Sequence, residues 1–306
     1  MAGQIPEFSG GESSRALVPL QRAEASTSSA IEEVMPSFDD FGGLDHEIEQ
    51  LRQVGAVFAN PELARQWDVH IPTGVLLCGP GGVGKSELVR AFSREIGAQL
   101  IEVAVSDIQS KWVGESNANL KKTFEEASKV EGNTVLFFDE LDGLFSRDAG
   151  GNSGVSTALI SEMKTLLSQL RATQPNMIVA ASTNSLAGFD EALLRPGRFD
   201  VVMQIPKPGD AARTSIFGKY ISSRLELYNV GDFTGESSSR GAIDIHSLAA
   251  ATDGMTGADI KAILHTARAK RLVSHIQRGL PMSPISQEDI LQAIRLHRQQ
   301  RLNAAD

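Results

Sequence analysis

The chain has 306 residues, 41% of them apolar and 22% charged, enough to bury one sizeable core or two modest ones. A net charge of −9 disfavours non-specific attraction to nucleic acid, which is not expected as a partner. No apolar run approaches the ~20 residues that cross a bilayer, so membrane insertion is not expected either. The single cysteine, Cys78, excludes an intramolecular disulfide and sits in an apolar strand as a buried thiol. With no charged-then-apolar leader at the N-terminus, a soluble, cytoplasmic protein is expected.

Residues 1–35 carry the polar runs Glu12-Ser-Ser-Arg15 and Glu24-Ala-Ser-Thr-Ser-Ser29 with little apolar periodicity, which predicts a disordered tail. A short docking segment around Ala16-Leu-Val-Pro-Leu20 is the alternative. From Phe38 onward, strand-like runs alternate with helical patterns. The first strand, Val75–Cys78, leads into Gly79-Pro-Gly-Gly-Val-Gly-Lys-Ser86, and Glu87–Phe92 follows with amphipathic-helix spacing. This is the phosphate-loop pattern GxxxxGK[ST] between a strand and a helix. Gly79, Gly81, Gly82 and Gly84, with Pro80 and Val83 between them, let the backbone turn its N–H groups and the helix N-terminus toward phosphate oxygens. Lys85 adds a point charge, and the Ser86 hydroxyl is a ligand for Mg²⁺. The expected ligand is a nucleoside triphosphate.

Leu100–Val105, Thr134–Phe138, Met177–Ser182 and Val201–Ile205 are the further strands, and together they predict a mostly parallel sheet with helices on both faces. After Pro206-Lys-Pro-Gly209 only helical patterns remain. Thr134–Phe138 delivers Asp139 and Glu140 at its C-terminal end, where ligands of open α/β sheets bind. Asp139 is expected to hold the metal and Glu140 to orient and deprotonate an attacking water. The strand at Ser182-Thr-Asn184 ends in an amide that either bridges the water and the γ-phosphate or caps the next turn. Arg195 and Arg198 flank a rigid Pro-Gly corner that can aim both guanidinium groups one way, toward charge building on a phosphoryl group bound by a neighbouring molecule. Two salt-bridging surface arginines are the bland alternative.

Four ordered motifs, the phosphate loop, Phe137-Phe-Asp-Glu140, Thr183-Asn184 and Leu193-Leu-Arg-Pro-Gly-Arg-Phe-Asp200, make the chain resemble the AAA family of ATPases, in the branch with the second region of homology, from about Phe38 to Arg301. The resemblance implies a P-loop α/β domain with a five-stranded sheet over 36–207 and a small helical lid over 208–306. It implies ATP and Mg²⁺, a homo-oligomeric ring, usually a hexamer, and hydrolysis used to remodel, unfold or thread a protein substrate. An ATP-switched assembly or regulatory factor without translocation is the first alternative, and a nucleic-acid remodelling ATPase the second. Carried over residue by residue, Lys85 and Ser86 serve phosphate and Mg²⁺, Asp139 the metal and Glu140 the water. Asn184 senses the γ-phosphate, and Arg195 and Arg198 reach the neighbouring site. The nucleotide-binding set extends to Asp40, Gly42, Glu87, Gly257 and Ala258. Ser110-Lys-Trp-Val-Gly-Glu-Ser116 resembles the family's aromatic pore loop, with Lys111, Trp112, Val113 and Gly114 gripping an extended polypeptide; for a Trp, burial in the core is the other reading. The helix Asn119–Ala127 would tie that loop to the nucleotide site.

Gly254-Met-Thr-Gly-Ala-Asp-Ile260 is similar to the family's lid motif, and Thr256 with Asp259 also spells a capping box opening a helix through Ala267. Ile260, Ile263, Leu264 and Ala267 at helical spacing are expected in the core. Gly81 and Val83 depart from the Pro and Thr favoured in the family's loop. Tyr228–Gly241 reads as a lengthened loop, and the basic Arg295, His297, Arg298 and Arg301 as a solvated helix face. Absence of an HExxH pattern, of a second cassette and of a hydrophobic-Tyr-x ending leads to the expectation of a single-ring motor without a partner protease.

Overall fold

A computed structural model describes residues 35–108, 113–145, 153–187, 189–228, 243–278 and 283–303. Residues 1–34 of the expected tail, Lys111 and Trp112 of the expected pore loop, and 229–241 of the expected lengthened loop lie outside the described residues. Helices α1 (Asp45–Ala59) and α2 (Pro61–Gln66) precede strand β1 (Gly74–Cys78), α3 (Lys85–Glu95), β2 (Gln99–Val103) and α4 (Val105–Ile108). Then follow α5 (Val113–Ala127), β3 (Thr134–Phe138), α6 (Asp142–Phe145), α7 (Ser153–Thr173), β4 (Met177–Thr183) and β5 (Phe199–Gln204). The remainder is helical: α8 (Asp210–Ser222), α9 (Ile245–Ala251), α10 (Gly257–Arg278) and α11 (Gln287–Asn303). Among the described residues no helix is long and apolar enough to cross a membrane.

The five strands form one sheet in the order β2-β3-β4-β1-β5, every pairing parallel. Burial explains why the sequence shows apolar runs rather than alternation. β1, β3 and β4 are buried along their whole length, whereas the edge strands β2 and β5 are partly exposed. Period-two geometry sorts their side chains between two layers. Val75, Leu77, Val135, Phe137, Ile178 and Ala180 pack with Leu51, Phe58, Leu88 and Phe92 of α1 and α3. Leu76, Leu136, Phe138, Val179 and Ala181 face α5 and α7 through Leu120, Phe124, Met163 and Leu167, with Phe124 and Phe138 stacked at 5.9 Å. Each such fully buried Leu or Phe contributes about 1.5–3 kcal/mol. A third cluster joins α8 to α11 through Phe217, Leu248, Ile260, Ile263, Leu264, Ala267, Ile290 and Ile294, burying the α10 stripe as its spacing predicts.

Several boundaries differ from the sequence reading. The strand expected to reach Val105 ends at Val103, and Val105 opens α4. α5 starts at Val113 rather than near Asn119, because its buried stripe begins at a polar residue: Ser116 is fully buried one turn before Leu120. Tyr228 is not loop but core. It is 4% exposed, bridges Ile285 in parallel, and its hydroxyl accepts from Arg268 Nε at 2.8 Å.

Three Ser/Thr-x-x-Asp boxes start helical segments. Ser37 N–H donates to Asp40, Thr256 N–H to Asp259 and Ser286 N–H to Asp289, at 2.8, 2.8 and 2.9 Å. Burial, the largest single influence, pushes these carboxyls up, but the backbone and hydroxyl donors of Ser37, Thr256 and Ser286 together with Lys219 at Asp40, His297 and Arg301 at Asp259, and Arg271 at Asp289 outweigh it. All three are held below 3.8. Carboxyls lowered in the folded state stabilise fully above their unfolded value and lose that contribution as pH falls through the folded one. The thermal midpoint should therefore hold steady down to about pH 4 and drop below it, and in Asp259→Asn that acid drop should be shallower; melts across pH 2.5–7 check this.

Candidate nucleotide site

The phosphate loop leaves the C-terminal end of β1 and is pinned on both sides by backbone. Gly79 N–H donates to Thr183 O of β4 at 3.1 Å, and Ile205 N–H, just past β5, donates to Cys78 O at 2.6 Å. A Cβ on Gly79 would stand 2.2 Å from the Ile205 carbonyl oxygen, so only glycine fits. Gly82 and Gly84 take φ of +78° and +97°, left-handed values that carry the chain around into α3. The α3 N-terminus has no side-chain cap, so its amides remain for a ligand. Val83 packs against the α1 and α3 layer.

Lys85, 7% exposed, spends its three ammonium donors on Gly79 O at 2.7 Å, Asn184 Oδ1 at 3.0 Å and Pro80 O at 3.1 Å. Burial lowers its pKa from 10.5, opposed by Asp139, Asp142 and Glu140. Ser86 Oγ donates to Asp139 Oδ2 at 2.7 Å. Ser182 Oγ donates to Asp139 Oδ1 at 2.5 Å and accepts from Glu140 N–H at 2.9 Å. Glu140 has φ of +53°, and its side chain is exposed. The structure thus brings Lys85, Ser86, Asp139, Glu140 and Asn184 together at one end of the sheet. The glycine cradle with uncapped α3 amides suits a polyphosphate, and the hydroxyl and carboxylate oxygens suit Mg²⁺, a hard cation that takes oxygen ligands.

The α10 N-terminus closes on the loop. Ala258 N–H donates to Gly82 O at 3.1 Å, and a Cβ on Gly82 would lie 2.7 Å from Ala258 Cβ. Gly257 lies beside the same carbonyl and Ile216. On the other flank Gly42 lies against α8, where a Cβ would meet Ser215 at 2.5 Å, and Asp40 pairs with Lys219 at 3.1 Å. Glu87, exposed in the first turn of α3, pairs with Arg90 at 2.9 Å. Of the basic C-terminal residues, Arg295, Arg298 and Arg301 are exposed, as a solvated face is, and His297 is the partly buried one. His297 and Arg301 bind Asp259 at 2.9 and 3.0 Å, and Arg298 donates to Ala251 O at 2.8 Å. Val113 and Gly114 open α5.

The two arginines of the corner differ. The Arg198 side chain is held by its own chain, through Ser168 Oγ at 3.1 Å and the Ala192 carbonyl, whereas the Arg195 side chain is exposed and makes no hydrogen bond or ion pair among the described residues. Sequence reasoning missed what fixes this corner. Asp200 accepts from Thr73 N–H and Gly197 N–H, both at 2.5 Å, and lies 3.1 Å from His70 Nε2; Lys164 binds Asp190 at 2.6 Å. It also missed Ser182. The only local sign of it was a hydroxyl at the mouth of an otherwise apolar strand.

A family profile described as "ATPase family associated with various cellular activities (AAA)" matches residues 75–207. The chain is 34% identical over 245 residues to "Cell division cycle protein 48 homolog" of Archaeoglobus fulgidus, covering 79% of this chain and 31% of that protein. It is 32% identical over 278 residues to "Proteasome-activating nucleotidase" of Thermococcus onnurineus, covering 89% and 65%. It is 31% identical over 275 residues to "ATPase family gene 2 protein homolog B" of Bos taurus, covering 87% and 34%. The matched region thus spans from about a third to just under two thirds of these relatives. Because the Arg198 side chain is bonded within its own chain and that of Arg195 has no such bond among the described residues, Arg198→Ala should lower unfolding stability by about 1–2 kcal/mol. Arg195→Ala should change it by less than about 0.5 kcal/mol, as read from denaturant melts.

Proposed function

Because the chain belongs to the AAA family of ATPases, we propose that it hydrolyses ATP at the loop between β1 and α3, as one subunit of a homo-oligomeric ring that remodels or threads protein substrates. The observation that carries the reading is the continuous polar chain Asn184–Lys85 and Ser86–Asp139–Ser182, which ties the phosphate loop to the acidic end of β3 and to β4. Lys85 exchanges part of its carbonyl set for β- and γ-phosphate oxygens. The Asn184 oxygen is turned to Lys85, which leaves its NH₂ to donate to the γ-phosphate or to the attacking water. Glu140, exposed at the strand end, orients that water and takes its proton as the water oxygen bonds to the γ-phosphorus; the bond to the bridging oxygen breaks and ADP leaves with the electron pair. Mg²⁺, with Ser86 and Asp139 as its protein partners, neutralises phosphate charge when bound. Arg195, whose exposed side chain makes no hydrogen bond among the described residues, is the guanidinium to reach a neighbouring subunit's γ-phosphate, and Arg198 braces the corner.

Two features support a protein substrate: the Lys111-Trp-Val-Gly114 pattern, and relatives whose names are those of a proteasome-activating nucleotidase and a Cdc48 homologue. Helices α8–α11 serve as the lid, and a hexameric, cytoplasmic assembly belongs to the same reading. Glu140→Gln should bind ATP with near wild-type affinity and turn over about 100-fold or more slowly, while Lys85→Ala should lose binding. Light scattering on Glu140→Gln with Mg²⁺-ATP should show a hexamer. A strict monomer at high concentration would leave Arg195 without a target and overturn the ring.

A further inference from the structure

Ser182 lies in β4 with 0% exposure, on the same sheet layer as Ile178 and Ala180, which is the layer of α3 and of Phe137 just before the acids. Its hydroxyl and carbonyl grasp three successive residues of the strand end next door. Oγ–H reaches Asp139 Oδ1 at 2.5 Å, Oγ accepts from Glu140 N–H at 2.9 Å, and the Ser182 carbonyl accepts from Leu141 N–H at 2.8 Å. Asp139 therefore receives a hydroxyl at each oxygen, Ser86 at Oδ2 and Ser182 at Oδ1. Glu140 sits at φ +53°, a left-handed conformation that disfavours a residue with a Cβ by about 1–2 kcal/mol and persists only where neighbours hold it. Only the grip of Ser182 bonds both the acid before it and the amide of the strained residue.

We propose that Ser182 is a positioning residue for the ATPase site. Its hydroxyl fixes the rotation of the Asp139 carboxylate, so that Oδ2 is presented to Ser86 and the metal, and it holds the Glu140 backbone in the turn that points the Glu140 carboxylate outward. An alanine there would leave Asp139 Oδ1 with only the weaker 3.1 Å donor, Glu140 N–H, and would leave that amide without its hydroxyl acceptor. The proposal rests on the nucleotide reading above, and its test separates the two.

The full-length Ser182→Ala protein is compared with wild type in three measurements. Without nucleotide, amide exchange at Glu140 should speed up about tenfold. Binding of a fluorescent ATP analogue in EDTA should stay within about twofold, because Lys85 and the loop amides are untouched. The Mg²⁺ concentration that half-saturates hydrolysis should rise, and kcat fall, by about 10–100-fold, the usual loss when a group behind a metal ligand is removed. Ser182→Cys keeps the shape with a weaker donor and should fall between the two; should the alanine protein fail to fold, the cysteine protein is read on the same quantities. Unchanged Glu140 exchange and Mg²⁺ dependence with ATP binding intact would overturn the assignment alone. Wild-type protein that binds no ATP analogue would overturn the nucleotide reading and this proposal with it.

Discussion

The parallel register of β1, β3 and β4 is the constraint on which the site depends. Pairing sets Cys78 opposite Thr183, Leu77 opposite Ser182 and Phe138 opposite Ala181, so the residues that leave these strands, Gly79, Asp139 and Asn184, emerge side by side. A slip of one residue would exchange the two buried layers, placing Phe137 where Phe138 belongs and carrying Asp139 away from Ser86. Each strand is buried on both faces, and the energy of that burial enforces the register. The polar groups at its end are therefore placed by hydrophobic packing some distance away.

Within that frame, competing terms set the state of Lys85. Burial favours its neutral form; Asp139, Asp142 and Glu140 oppose this, and burial wins the direction of the shift. Yet the three hydrogen bonds to Gly79 O, Pro80 O and Asn184 Oδ1 all draw on ammonium protons, so the geometry uses the charged form. Two of these acceptors are carbonyls of the loop itself. The lysine thereby holds the loop in its curled shape, which under the proposed function leaves little to reorder when phosphate arrives.

Much of this was legible in the sequence, for a physical reason. Backbone-driven features leave local signatures: glycines where a Cβ would strike Ile205 O or where φ is positive, an apolar run where a strand is covered on both faces, and Thr256 three residues before Asp259. Side chains that meet across long stretches of chain leave none. Asp200 serves Thr73 amide from 127 positions away and Ser182 serves Asp139 from 43, and the residues around neither one name its partner. The same gap explains the other differences. Ser116 begins a buried stripe with a polar residue, Tyr228 is buried with its hydroxyl satisfied by Arg268, and His297 is partly buried on Asp259, 38 positions away.

Asp259 also decides how the helical region meets the loop. One carboxylate caps α10 through Thr256 and binds His297 and Arg301 of α11, so the α10 N-terminus and the α11 C-terminal half form one braced body. Among the described residues, that body meets the phosphate loop through one backbone bond, Ala258 N–H to Gly82 O, and through the close approach of Gly82 to Ala258 and Thr256. Charge-assisted bonds to a carboxylate are about twice as strong as a neutral amide bond. The joint that yields first is therefore the one at Gly82 rather than the one inside the helical body. Movement of the loop around a ligand is then felt by α10 and α11 together, and the glycine at position 82, where any side chain would collide with Ala258 and Thr256, keeps that joint narrow enough for contact to matter.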